Sequence, residues 1–201
     1  MGRRKLVANI DDKIMVEVMK MTMKVGTGLV STKEIAKKLG ISEPVIFTHF
    51  KTKVDLMDAT FVKACIPLLN DQIAKVCFEK GCSATFEDYK PALIWALSFK
   101  KETVYIHHYL ASSYYNDKVV HEALRPFFEQ ARKALKALAP ENPLSTEQYD
   151  FLLVTYFHTR IDILNGFLQG RFPINDDYLR LMDYFLVGGT FAALGIERPN
   201  K

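Results

Sequence analysis

The chain has 201 residues, 49% of them apolar, enough to bury a substantial core, which argues against disorder over its whole length. No uninterrupted apolar run approaches the roughly 18 residues of a membrane helix, and Met1-Gly2-Arg3-Arg4-Lys5 leads into no secretory segment, so a cytoplasmic protein with no membrane partner is expected. The net charge of +4 is uneven: residues 1–53 hold eleven Lys and Arg against five Asp and Glu, a balance of +6 that leaves −2 for the rest. Such a basic first quarter suits a phosphate-binding module on a body with another task, although a solvated basic surface has the same composition.

Ile14, Val18, Met21 and Val25 recur at helical spacing and predict a first helix from about Asp11 to Val25, stopped by Gly26 and Gly28. Ser31-Thr32-Lys33-Glu34 reads as a capping box, in which the Ser31 hydroxyl accepts from a backbone N–H and Glu34 reaches back. The second helix is short: Ile35, Ala36 and Leu39 form its apolar face before Gly40, which can take the positive φ of a sharp turn. Ser42 is a second N-cap and Pro44 is tolerated in the first turn of a third helix, Glu43 to Phe50. Ile46 and Phe50 pack inward with Ile41, which leaves Glu43, Val45, Phe47 and Thr48 outside. Two capped helices about a glycine turn, inside a basic segment, make a helix-turn-helix whose second helix enters the major groove. The alternative is an ordinary three-helix corner.

The run from Ile14 to Leu56 resembles the DNA-binding domain of the TetR family of regulators. The resemblance rests on Ile14, Gly26, Ile35-Ala36, Leu39-Gly40-Ile41-Ser42, Phe47-Thr48-His49-Phe50 and Lys53-Val54-Asp55-Leu56. It implies that Thr32, Lys33, His49 and Lys53 contact phosphates, and that Glu43, Pro44, Val45 and Phe47 face the bases. Phosphate contacts position such a protein and base-edge contacts specify sequence; Val45 and Phe47 can meet thymine methyl groups. Three positions depart from the pattern. Phe47 stands where the family usually has Tyr, Val18 replaces a small residue, and Glu43 can accept from cytosine N4 but repels phosphate, so no relative's operator can be copied. No carboxylate or second imidazole lies at a useful helical offset from His49, which argues against a catalytic or metal-binding role. Arg3, Arg4 and Lys5 form either a minor-groove arm or a frayed terminus.

Beyond Lys53 the pattern stays helical. A linking helix from about Val54 contains Pro67, which should kink or end it, and helices follow at about Phe86 to Lys100, Glu102 to Tyr115 and Asp117 to Leu138. Pro140 and Pro143 mark a loop; Ser145-Thr146-Glu147-Gln148 caps a long helix to about Gln169, ended by Gly170 with Pro173 beyond. Asn175 caps a last helix from Asp176 to about Leu194. The resemblance implies a homodimer through these last two helices, for which Phe151, Val154, His158, Ile161, Leu181, Phe185, Gly188 and Gly189 are the candidate interface.

Trp95, Phe99, Tyr105, Tyr109, Tyr114, Phe128 and Tyr156 either line a cavity for a hydrophobic or aromatic effector or simply fill a core. His107 and His108, adjacent on a helix, point about 100° apart and cannot chelate one ion together. Cys65, Cys77 and Cys82 make neither a disulfide set nor a metal-ligand spacing and read as reduced thiols; a redox sensor at Cys77 or Cys82 is the other reading. No phosphate loop, nucleophile elbow or metal signature is present, so no enzyme, cofactor or metal is expected. The expected fold is all-α, with an N-terminal three-helix helix-turn-helix domain at 1–53 and a larger helical effector-binding and dimerisation domain at 54–201. The expected function is a ligand-responsive regulator, by resemblance a repressor, that binds a near-palindromic operator on double-stranded DNA as a homodimer and releases it on binding a small molecule. The alternatives are a helical protein that binds a ligand or DNA without operator specificity, and an enzyme.

Overall fold

The computed structural model describes residues 2–69, 80, 85–141 and 144–195, with 2–9, 68 and 69 described by backbone alone. Cys77, Cys82, Pro143 and the side chains of Arg3, Arg4 and Lys5 lie outside the described residues. All regular structure among the described residues is helical. The chain divides into two compact units, Met1–Ile66 with Lys101–Ala123, and Pro67–Lys100 with Leu124–Lys201.

In the first unit, α1 spans Gly2–Val25. It starts well before Asp11, because Arg3, Arg4, Lys5, Leu6 and Ala8 are good helix formers even though they extend no apolar stripe. Ile14, Val18 and Met21 are buried as their spacing predicts, whereas Val25, at the last turn, stays 44% exposed. The chain leaves α1 through Gly26 at φ 75°. α2 (Thr32–Leu39) begins where Ser31 turns extended and its hydroxyl accepts from the Glu34 N–H at 3.3 Å. Only this half of the predicted capping box forms among the described residues. α2 ends at Gly40, whose φ of 68° turns its N–H onto the carbonyls of Ala36 and Lys37.

α3 (Glu43–His49) corrects two expectations. Ser42 has the extended backbone of an N-cap, but its hydroxyl caps nothing; the first turn is set by the Val45 N–H donating to the Ser42 carbonyl at 3.1 Å and by Pro44. The helix ends at His49, because Phe50 is extended at φ −126° and ψ 111° while its ring remains buried. α4 (Lys53–Leu69) starts one residue before Val54 and carries Pro67 inside its last turns without ending there. Its start has a local cause: the Thr52 N–H donates to Asp55 Oδ2 at 2.9 Å and the Asp55 N–H to the Thr52 hydroxyl at 3.1 Å.

α5 (Phe86–Ala96), α6 (Lys100–Leu110) and α7 (Asp117–Leu138) follow, the first two shorter than predicted and the third as predicted. Within the first unit α6 is bound to α4 by Tyr105, whose hydroxyl donates to the Met57 carbonyl at 2.7 Å, and by Tyr109, which donates to Asp58 at 2.6 Å. Asn116 donates to the other Asp58 oxygen at 3.2 Å, and Phe61 stacks on Tyr109 with ring centroids 4.5 Å apart. Burial, and then the bond to Asp58, pushes the Tyr109 phenol well above its ordinary pKa, so it remains a donor. Cys65 is buried here and burial likewise pushes its thiol up, which leaves it an inert core group.

The second unit holds α5, α8 (Thr146–Leu168), α9 (Asp176–Asp183), a π turn at Tyr184–Gly188 and α10 (Gly189–Ala193). Ser145 and Gln148 form the full capping box predicted for α8. The core joins Tyr89 and Leu93 of α5 to Leu164 and Phe167 of α8 and to Leu179, Met182, Leu186 and Phe191. At its surface Arg180 pairs with Glu87 at 3.1 Å and lies over the Phe86 ring at 4.1 Å, while Lys90 reaches Asp176 at 2.7 Å. The predicted unbroken last helix is thus interrupted. Its π turn leaves the consecutive aromatics Tyr184 and Phe185 70% and 62% exposed and buries the next two residues, Leu186 and Val187.

Candidate nucleic-acid interface

The helix-turn-helix is held from behind by apolar contacts and from the side by charges. Ile35, Ala36, Ile46 and Phe50 are buried, Ile41 is half-buried, and α2 and α3 pack on each other about the Gly40 turn. Glu17 of α1, itself buried, accepts from Lys20 at 2.7 Å and from Lys38 of α2 at 2.8 Å. Burial opposes its ionisation, but the two lysine hydrogen bonds outweigh it and hold the carboxyl below its ordinary pKa. This clamp fixes α2 on α1 and is invisible to any local pattern, since Lys38 lies 21 positions from Glu17.

Among the predicted phosphate contacts, Lys33 is exposed on α2. Thr32 is 9% exposed and its hydroxyl donates to Glu43 Oε1 at 2.5 Å. That bond ties the first turn of α3 to the first turn of α2 and joins one predicted phosphate contact to one predicted base contact. Lys53 is half-buried at the start of α4, its ammonium 5.5 Å from the Tyr114 ring centre. His49 Nδ1 lies 2.6 Å from Asp11 Oδ1 of α1. No sequence offset pointed to that pairing, because Asp11 sits on another helix. Of the predicted base-facing set, Pro44 is exposed and Phe47 is 39% exposed, whereas Glu43 and Val45 are half-buried. α3 therefore presents an apolar outer edge within a basic module, an arrangement that suits a groove with methyl groups on its floor and phosphates on its rims.

Residues 18–60 match the sequence model of bacterial regulatory proteins of the tetR family. The helix-turn-helix of this chain is thus similar to that of the tetR family. The solved TetR-family transcription regulator from Marinobacter aquaeolei VT8 superposes with a TM-score of 0.68 at 16% identity, covering 96% of this chain and 98% of that one. A putative transcriptional regulator TetR family protein from Vibrio parahaemolyticus superposes with a TM-score of 0.58 at 12% identity, covering 90% and 96% respectively. The TetR-type fold thus runs through nearly the whole chain. No curated protein matches the sequence. No helix among the described residues is long and apolar enough to cross a membrane.

The residues predicted for an effector pocket fall into both compact units. Tyr105, Tyr109 and Tyr114 belong to the first, where Tyr105 and Tyr109 are fully buried and hydrogen-bonded to α4. Trp95, Phe99, Phe128 and Tyr156 belong to the second; there Trp95 meets Phe99 edge-on at 4.7 Å, and Phe127 contacts both Phe128 and Tyr156. Of the residues predicted for the dimer interface, Phe151, Leu181 and Phe185 are 75%, 53% and 62% exposed, His158 and Gly189 are exposed, and Val154 and Gly188 are half-buried. Ile161 is buried in the core. Tyr184, 70% exposed, belongs with the exposed group although sequence reasoning did not single it out.

Proposed function

We propose that this protein is a cytoplasmic transcriptional regulator that binds double-stranded DNA through α2 and α3. The observation carrying the proposal is the α2–Gly40–α3 unit, which presents exposed Pro44 and Phe47 inside the segment that matches the tetR family. Lys33, His49 and Lys53 are the proposed phosphate contacts, with Thr32 orienting Glu43; Pro44, Val45 and Phe47 are the proposed base-facing side chains. Residues 1–53 serve as the DNA-binding domain and 54–201 as the effector and dimerisation domain.

The regulator acts as a homodimer. Large exposed apolar side chains on the second unit, Phe151 on α8 and Leu181, Tyr184 and Phe185 along α9 and the π turn, support this, because a monomer rarely leaves so many such groups in water. Gly189 has nothing within 4 Å of where a Cβ would stand, so another helix can approach its backbone. A two-fold dimer sets its recognition helices about 34–36 Å apart on a near-palindromic operator. A hydrophobic or aromatic effector that favours another arrangement weakens DNA binding by its differential affinity, typically about 1–3 kcal/mol of coupling, and repression follows from promoter occupancy. The role is binding and not catalysis. Retention of the folded chain on immobilised duplex at about 150 mM salt tests the reading, with competition by mixed-sequence DNA as the measure of specificity. Failure to bind would sink it, and binding without sequence preference would favour an architectural role.

A further inference from the structure

We propose that Glu43 reads cytosine in the major groove and that Thr32 is the positioning residue that aims it. The inference rests on the DNA-binding reading above and adds a base to it. The Thr32 hydroxyl has one proton, which it donates to Glu43 Oε1 at 2.5 Å. While that bond stands, Thr32 has no donor left for a phosphate, which only accepts. Thr32 is 9% exposed at the start of α2, so it is an anchored point against which a long, rotatable carboxylate side chain can be held. The bond spans the Gly40 turn, and the aim of Glu43 is therefore set by the packing of α3 on α2.

Glu43 lies one turn before Phe47 on the same face of α3, and Phe47 is 39% exposed. Glu43 itself is half-buried; its Oε2 accepts from no described group and is not enclosed. The outer face of α3 thus leads with one anchored acceptor and follows it with an aromatic ring. Phosphates repel a carboxylate, so Glu43 gains only where the groove floor offers a donor. Guanine shows two acceptors there, and thymine an acceptor and a methyl group; both leave the carboxylate unpaired. Adenine sets its N6 donor beside the N7 acceptor, whereas cytosine shows the N4 donor alone. A single carboxylate oxygen is therefore matched by cytosine, while a side-chain amide, with a donor as well as an acceptor, matches adenine at N6 and N7. Glu43 selects by exclusion too, because every wrong base leaves a charge without a partner.

The test is selection of bound duplexes from a random library by the full chain at about 150 mM salt, with wild type, Glu43→Gln, Thr32→Val and Thr32→Ser run in parallel. Wild type should enrich cytosine at one position of the site read by α3, by about 5- to 150-fold over each other base. Glu43→Gln should move that position to adenine and leave the others unchanged. Thr32→Val keeps the shape of the side chain but removes the hydroxyl, and it should relax the cytosine preference at that position; Thr32→Ser should restore it. A Thr32 that contacts phosphate would instead lose affinity equally on every sequence in Thr32→Val, with the cytosine preference untouched. That result, or the same enriched sequence from Glu43→Gln as from wild type, or a wild-type site in which no cytosine responds to Glu43→Gln, overturns the inference while the regulator reading stands. A folded wild type that enriches no sequence overturns both.

Discussion

Replacing Glu17 by Gln removes the charge that holds α2 against α1, and the cost can be worked from the surroundings of the pair. Two charge-assisted hydrogen bonds between buried partners would be worth about 1.5–3 kcal/mol each. Here the carboxylate is 11% exposed while Lys20 and Lys38 are 52% and 48% exposed, so each freed ammonium regains much of its water. Discounting toward the 0.2–1 kcal/mol of exposed pairs gives a loss of about 1–2 kcal/mol. The pH dependence has a fixed sign. Because the folded-state pKa of Glu17 is lowered, its contribution is complete above the unfolded value of about 4.3 and disappears as pH falls through the folded value. Urea unfolding of wild type and Glu17→Gln should therefore differ by about 1–2 kcal/mol near pH 7 and converge toward pH 3. A difference that is absent at neutral pH, or that stays constant into acid, would refute the clamp.

Gly40→Ala forces a Cβ into the left-handed region at φ 68° and should cost about 1–2 kcal/mol in the same assay, although nothing crowds the position within 4 Å. An unchanged midpoint would mean that the turn relaxes freely. Lys53→Ala should weaken binding on all DNA sequences and flatten the salt slope by about one, whereas Phe47→Ala should change which bases are selected with little loss of stability. Equal effects of the two on every sequence would contradict the division into phosphate and base contacts. Phe185→Glu, on a side chain 62% exposed in the isolated chain, should give a folded monomer by light scattering; an unchanged mass would remove this residue from the interface.

The parts of the fold that the sequence made legible are those with a local cause. Ser31 and Gly40 bound α2, Ser145 and Gln148 start α8, and Asn175 starts α9, each through bonds to residues within a few positions. The apolar spacing of Ile14, Val18 and Met21 likewise put the right face of α1 inside. Local logic also misled. Ser42 looks like Ser31, yet its hydroxyl is idle because Pro44, the backbone and the Thr32–Glu43 bond already fix the start of α3. Gly188 and Gly189 stood out as candidate interface positions, but nothing in their spacing announced the π turn that ends at Gly188. Least legible were contacts between helices: Asp11 with His49, Lys38 with Glu17 and Tyr114 with Lys53 depend on packing, and no spacing along one helix encodes them.

Sequencing the duplexes retained from a random library at about 150 mM salt tests the central claim most directly, because retention at fixed salt separates base readout from the electrostatic background. The account predicts an enriched inverted repeat, with half-sites spaced to place one α3 in each of two successive major grooves. A folded protein that enriches no sequence would contradict it.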